Sequence, residues 1–275
     1  MNFKFKRTKQ TAKQEEYIDK QVKKFPKIVF YIFLVYFVLF AIYISWYIYF
    51  RNTYELSEVD GTSMQNTLNP DITVENDGDD LVYINTKKQP ERFDIIVIND
   101  HNSDGSEIKL IKRVIGMPGD YVTIKKADDG YFHVFMLDYE TGEVYCLNES
   151  YVKSYEEWTY GPDSVYDNSI YMLGEEYEAR FYETFIALPS NQENVVLVEG
   201  IYFFQVPENE IFYLGDNRGR SSDSRVRGTA SLDNLEGVAE IILPGGAEEG
   251  ANLLAIKFDA LFSFYWNKLE NFFSR

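Results

Sequence analysis

The 275-residue chain holds one cysteine and two histidines. A lone Cys146 excludes an internal disulfide framework and any cysteine-rich metal site. His101 and His133 leave little room for a histidine-based zinc centre. No metal-ligand cluster is visible, and no metal or cofactor is expected. Positive charge is scarce too: 27 Lys and Arg face 44 Asp and Glu, a net charge of −17. That balance argues against a general nucleic-acid binder, which needs a basic footprint for phosphates. Apolar matter is plentiful, with 45% hydrophobic and 17% aromatic residues, 22 Tyr and 21 Phe among them. Such a composition excludes a disordered polyelectrolyte. At this length it suits one or two domains with a sizeable core.

The average charge hides an asymmetry. Up to Arg51 there are ten Lys and Arg against three acids (Glu15, Glu16, Asp19), a net of +7, so the remainder carries −24. Between head and body lies Ile28 to Phe50, 23 residues without a charge. At about 1.5 Å per residue a helix of this length spans roughly the 30 Å of bilayer hydrocarbon. Tyr43, Trp46, Tyr47 and Tyr49 gather at its outer end, as an interfacial belt does. The alternatives are a buried core helix and a cleavable signal peptide; for the latter the run is too long and no small-x-small site follows. The sequence reads as a basic tail (1–27), a single transmembrane helix (28–50) and an acidic body. Lys4, Lys6, Arg7, Lys9, Lys13, Lys20, Lys23, Lys24 and Lys27 precede the span and only Arg51 follows closely. The positive-inside bias then places the N-terminus in the cytoplasm and the body outside it. A lone Cys146 suits an exported domain that does without disulfides.

The body (51–250) reads as mostly β. Short apolar or alternating runs recur at Leu81–Ile84, Asp94–Ile98, Leu110–Ile115, Tyr121–Ile124, Phe132–Leu137, Val195–Val198, Ile211–Leu214 and Val238–Leu243. Turn signals fall at Asn76-Asp77-Gly78, Met117-Pro118-Gly119, Asp128-Asp129-Gly130 and Pro244-Gly245-Gly246. Residues from about 126 to 200, rich in Tyr, Glu and Asp, look like an insertion on this framework, and no internal repeat is found.

Three segments concentrate polar chemistry. In Gly61-Thr62-Ser63-Met64-Gln65-Asn66-Thr67-Leu68, a serine after a glycine suits a tight turn whose N–H groups point at a developing oxyanion; alone, such a serine is an ordinary turn residue. In Lys112-Arg113-Val114-Ile115-Gly116-Met117-Pro118-Gly119-Asp120, a lysine interrupts an apolar strand, a costly place for a charge unless it faces solvent or does chemistry. Gly215-Asp216-Asn217-Arg218-Gly219-Arg220-Ser221-Ser222-Asp223-Ser224-Arg225 follows a strand and reads equally as a hydrogen-bonded loop or a site. A serine nucleophile needs a base, and none of the three holds a histidine. Lys112 can serve if desolvation lowers its pKa from about 10.4 toward 7–8.

Together these segments resemble the boxes of bacterial type I signal peptidases, the membrane-anchored Ser/Lys proteases. Gly61–Leu68 is similar to a Gly-x-Ser-Met-x-Pro-Thr-Leu box, with Asn66 where proline is usual. Lys112–Asp120 and Gly215–Arg225 match their boxes completely, and Phe93-Asp94-Ile95-Ile96-Val97 resembles a Gly-Asp-Ile-Val-Val strand box. The resemblance implies an antiparallel β catalytic domain with an inserted subdomain behind one N-terminal transmembrane helix. It makes Ser63 the nucleophile and Lys112 the general base. Ser221 would orient the lysine, and Asp223 and Arg225 would form a buttressing ion pair. Gly61 stands where some members carry a serine that completes the oxyanion hole, so the hole would rest on backbone donors, chiefly the Ser63 N–H, with Thr62 a further contributor. No aromatic residue precedes Gly228 in Val226-Arg227-Gly228, where one is usual.

The activity implied is removal of signal peptides from exported preproteins after small-x-small sites. Substrate would lie as an extended strand beside Leu110–Lys112. Met64, Leu68, Leu110 and Ile111 would form the substrate-binding walls. Partners would be preproteins and the phospholipid bilayer of a bacterial cell membrane, with the chain acting as a monomer. Ser63 lies 13 residues beyond Phe50, within about 45 Å even fully extended, so it stays near the surface where cleavage sites emerge. The alternative is a membrane-anchored binding or assembly relative without catalysis. A self-cleaving repressor-type protease gives no reason for the anchor, and eukaryotic-type signal peptidases use histidine where this chain has Lys112.

At the C-terminus (251–275), Leu254, Phe258, Leu261, Tyr265, Leu269 and Phe272 recur at spacings of three and four, an apolar helical stripe. Two readings stay open for it: a helix packed on the body or the anchor, or an interfacial helix on the outer leaflet.

Overall fold

A computed structural model of the chain describes residues 9–65, 67–69, 80–152 and 176–243. Contacts divide it into two compact units that meet at Thr53 and Tyr54. The first contains one continuous helix, α1 (Lys9–Thr53). Within it Lys27–Thr53 is long and apolar enough to cross a membrane. Its apolar side chains are exposed, Phe33 at 72% for example, so this is no buried core helix. The absence of charge from Ile28 to Phe50 makes lipid the environment that such a surface suits.

The second unit is mostly antiparallel β. Its strands in chain order are β1 (Tyr54–Glu58), β2 (Leu81–Asn85), β3 (Ile95–His101), β4 (Glu107–Gly116), β5 (Tyr121–Lys126) and β6 (Phe132–Leu137). They continue with β7 (Val144–Cys146), β8 (Val195–Val198), β9 (Ile201–Gln205), β10 (Glu210–Leu214), β11 (Ala230–Ser231) and β12 (Leu235–Leu243). One sheet has the order β1-β2-β12-β3-β4-β10-β11 and the other β7-β6-β5-β9-β8. Two short helices, α2 (Glu176–Phe181) and α3 (Ser224–Arg227), accompany them.

All eight sequence-predicted strands form. The reading missed β1, β7, β9 and β11. The β1 strand is an edge with only Tyr54 buried, so it lacks a clean apolar alternation. The hairpin of β8 and β9 turns on Glu199 and Gly200, both at positive φ (53° and 83°), as a two-residue type I′ turn requires.

The stretch expected as an insertion supplies β6, β7 and β8 among its described residues, so it builds most of the second sheet. Its core joins Val122, Val134, Met136, Phe181, Phe185, Phe204 and Phe212. Two further apolar clusters underlie the first sheet, one around Ile96, Val114 and Tyr213 and one around Val59, Met64, Leu68 and Val97. The β4 strand joins the two sheets in sequence: within the first it pairs with β3 over residues 107–113, then it leads through the Met117–Asp120 turn into β5 of the second. Asn66, the turns at 76–78 and 244–246, and the C-terminal helix lie outside the described residues.

Candidate active site

Strand β4 alternates exposed and half-buried residues over its first three positions, buries Leu110 and becomes wholly buried from Lys112 onward. The apolar residues Val114 and Ile115 fix that register by packing into separate cores. Lys112 is carried inward with them and is 3% exposed. Its Nζ donates to Ser63 Oγ at 2.7 Å and to the Ile111 carbonyl at 2.7 Å. Burial, the largest influence, lowers its pKa from the ordinary 10.5 to about 8; the carboxylates of Asp223 and Asp216 oppose the fall, and Arg227 assists it.

The serine loop is held from both ends. Gly61 has φ +88°, a left-handed conformation that glycine adopts without cost. Met64 and Leu68 are buried in the core below the loop. Asn69 closes the loop: its backbone N–H and side-chain Oδ1 exchange 2.7 Å hydrogen bonds with Asp80, while Nδ2 donates to the Val59 and Gly61 carbonyls. From the opposite side Asn217 donates its backbone N–H to the Ser63 carbonyl at 3.0 Å and its Nδ2 to the Thr62 carbonyl at 2.9 Å. Among the described residues the Ser63 N–H meets no acceptor.

The third polar segment forms the floor. Asp223 and Arg225 make a bidentate, fully buried pair with Nε–Oδ1 at 2.8 Å and Nη2–Oδ2 at 2.7 Å. Burial by itself would raise the Asp223 pKa, but the Arg225 charge and hydrogen bonds, the Gly215 N–H and Ser221 outweigh it and hold the carboxyl below its usual range. Ser221 Oγ lies against Gly215 and has no hydrogen bond of normal geometry; in particular it does not bond Lys112. The expectation that Ser221 orients the lysine thus has no hydrogen bond behind it here, because the lysine's bonds go to Ser63 and Ile111.

Ser63, Lys112, Asp223 and Arg225 are brought together with Gly61, Thr62 and Ser221. The four expected substrate walls are not one surface. Met64 and Leu68 are core residues with Ile111 packed against their cluster, whereas Leu110 belongs to the neighbouring one. Sequence reasoning missed Asp216, which takes a bidentate pair from Arg113 and a hydrogen bond from Thr67 Oγ1, and so ties β4 to the serine loop. It also missed Asn217. Both lie inside the quoted third segment, but density of polar residues does not say which group grips which backbone. Phe93 stands where glycine is usual in its box and has φ +73°, a conformation costly for a bulky residue. Its carbonyl accepts from Arg113 and its ring packs on Tyr151, contacts that hold it there.

A hydroxyl at hydrogen-bond distance from an amine that burial drives toward neutrality is a nucleophile–base arrangement, the chemistry of acyl-transferring hydrolases. The profile of the signal peptidase family, peptidase S26, matches residues 28–243, so the chain belongs to that family and is a serine endopeptidase. It is 33% identical over 194 residues to Signal peptidase I of Streptococcus pneumoniae serotype 4, covering 67% of this chain and 79% of that one. Signal peptidase I of Rickettsia typhi is 32% identical over 164 residues, and here the match spans only about half of the relative (52%) and 56% of this chain. A solved signal peptidase I from Enterococcus faecalis V583 is 30% identical with a TM-score of 0.32, covering 55% of this chain and 97% of that one. Removal of signal peptides is the family's activity, and membrane anchoring its habit, with which the apolar stretch in α1 is consistent.

Proposed function

We propose that this protein cleaves signal peptides from exported preproteins through a Ser63–Lys112 dyad. Neutral Lys112 takes the Ser63 hydroxyl proton as Oγ attacks the scissile carbonyl. The ammonium so formed returns the proton to the departing amine. Water, deprotonated by the same lysine, then hydrolyses the acyl-enzyme. The Ser63 N–H is the oxyanion donor, with the Asn217 clamp holding its loop in place. Asp223 and Arg225 support the floor under Gly215.

Substrate enters as an extended strand beside Leu110–Lys112. Supporting this, β10 pairs with β4 only at Arg113, Val114 and Gly116, which leaves that side of residues 107–112 without a strand neighbour among the described residues. A preprotein whose signal peptide ends in small-x-small fits such a shallow edge. The enzyme works from the outer face of a bacterial cell membrane as a monomer anchored by residues 28–50, its basic tail in the cytoplasm.

The observation that carries the proposal is the 2.7 Å contact between Lys112 Nζ and Ser63 Oγ in a buried setting. The test is incubation of the purified protein with a preprotein and mass spectrometry of the product to locate the cut. Ser63→Ala and Lys112→Ala should each abolish processing while the protein still folds and inserts, since nucleophile and base act as one unit. Near-normal activity in either variant sinks the dyad.

A further inference from the structure

We infer that Glu149, from the segment that follows β7, is a positioning residue for the serine loop, acting through its buried ion pair with Arg218. The inference rests on Ser63 being the nucleophile. Arg218 Nη1 donates to Glu149 Oε2 at 2.9 Å and Nη2 to Oε1, with both side chains nearly sealed from solvent at 5% and 4% exposure. Tyr151, two residues on, donates its hydroxyl to the same carboxylate at 2.8 Å. Its ring lies under the Arg113 guanidinium, 4.1 Å from centroid to Cζ.

The two arginines that Glu149 and Tyr151 meet are the ones that fix the Gly215–Arg218 turn. Arg113 holds Asp216 in a bidentate pair. Arg218 donates its Nε to the Gly215 carbonyl at 3.1 Å and accepts Arg225 Nη2 on its own carbonyl at 2.9 Å. Between Asp216 and Arg218 stands Asn217, whose two hydrogen bonds clamp the Ser63 and Thr62 carbonyls. A buried guanidinium needs a carboxylate. Without Glu149 the buried Arg218 guanidinium loses its bidentate carboxylate, which favours a shift of the turn toward water, and a shift carries Asn217 and the serine loop with it. Arg113 brings this chain of contacts to β4, but Lys112 itself is fixed by the pairing of β4 with β3, Ile96 opposite it, so the base should move less than the serine loop. The segment that follows β7 therefore sets the nucleophile more than the base.

The test compares wild type, Glu149→Gln, Glu149→Asp and Tyr151→Phe in the full chain reconstituted in detergent, with a preprotein substrate and with active molecules counted by a covalent serine-directed probe. Misplacing a reacting group by about 1 Å can cost about 100-fold; the expected result is a fall in kcat per active molecule of about tenfold or more for Glu149→Gln. The KM should change less than about threefold, and the apparent pKa of the kcat/KM profile should move little, since burial in β4 is its largest cause and Asp216 a minor one; a general loosening of the fold would hydrate Lys112 and raise it. Glu149→Asp, which keeps the charge but shortens the reach, should lose an intermediate factor. A variant that melts earlier yet keeps wild-type kcat per active molecule makes Glu149 a stability residue only and overturns the inference. If Glu149→Gln does not fold, Glu149→Asp and Tyr151→Phe decide: wild-type kcat in both refutes it, a fall in kcat at unchanged pKa supports it. Ser63→Ala in the same assay separates the two claims, because activity there would overturn the nucleophile itself.

Discussion

Lys112 meets two opposed demands. Its place in β4 is set by apolar neighbours that carry it inward, and burial drives its pKa from 10.5 to about 8. A shift of that size is on the order of 3 kcal/mol against folding at neutral pH, at 1.36 kcal/mol per unit. Below about pH 8 the amine is protonated in both folded and unfolded chains, and the whole cost applies. Between about 8 and 10.5 the unfolded chain binds a proton that the folded one does not, so stability rises with pH across that window; above it the cost is gone. Two outcomes are expected. The kcat/KM should climb with pH through about 8, and a profile flat from about pH 6 to 10 contradicts a lysine base. Lys112→Met should be inactive yet melt higher than wild type at pH 7, with the gap narrowing toward pH 10. A melting point equal to or below wild type at pH 7 would show that the lysine's hydrogen bonds outweigh its desolvation. At this scale the lysine itself was legible, as a charge inside an apolar run; its partner was not. Ser63 and Lys112 are 49 positions apart, and only the matched boxes, not any local pattern, joined them.

Elements decide what a residue's neighbours are. The end of β10 shows this at Gly215, where a Cβ would sit 2.2 Å from Ser221 Oγ and 2.5 Å from the Ser63 carbonyl oxygen. Glycine is needed there because strand, serine loop and floor all converge on its α-carbon. Gly215→Ala should displace the serine loop and cut kcat/KM by about 100-fold or more, while the Asp223–Arg225 pair keeps the domain folded. Processing rate and a thermal melt on the same sample check this, and wild-type processing would mean that the loop yields without consequence. Nothing in the sequence distinguishes this glycine from its neighbours in the third segment. Strands were far more legible, since β2 to β6 and β10 carry apolar runs bounded by turn residues. Of the strands that escaped, β9 is an interior five-residue strand whose apolar run went unread, and the other three are edges or short: β1 buries only Tyr54, β7 has three residues and β11 two. They exist because a neighbouring strand offers its hydrogen bonds, and a neighbour supplied by the fold leaves no mark on local periodicity.

On the scale of the whole molecule, function depends on which side of a membrane the catalytic body occupies. A preprotein's cleavage site emerges at the outer surface, so Ser63 serves it only if the body is exported. The sequence divides its charge accordingly, +7 up to Arg51 and −24 beyond. Nine Lys and Arg in the 27 residues before the apolar stretch resist translocation, and no comparable cluster follows it. Acidic residues contribute little to this bias, so the head is expected to set the orientation. The expected topology is tested in osmotically protected cells carrying an N-terminal epitope tag. Externally added protease should digest the β body and leave a protected fragment that holds the tag and the residues preceding the span. Protection of the body with loss of the tag would invert the topology and separate Ser63 from exported preproteins. Replacing Lys13, Lys20, Lys23, Lys24 and Lys27 with glutamine, while adding five lysines after Arg51, should push the population toward that inverted state. Processing of an exported preprotein should then fall in proportion to the inverted fraction, though the purified variant retains its activity in detergent.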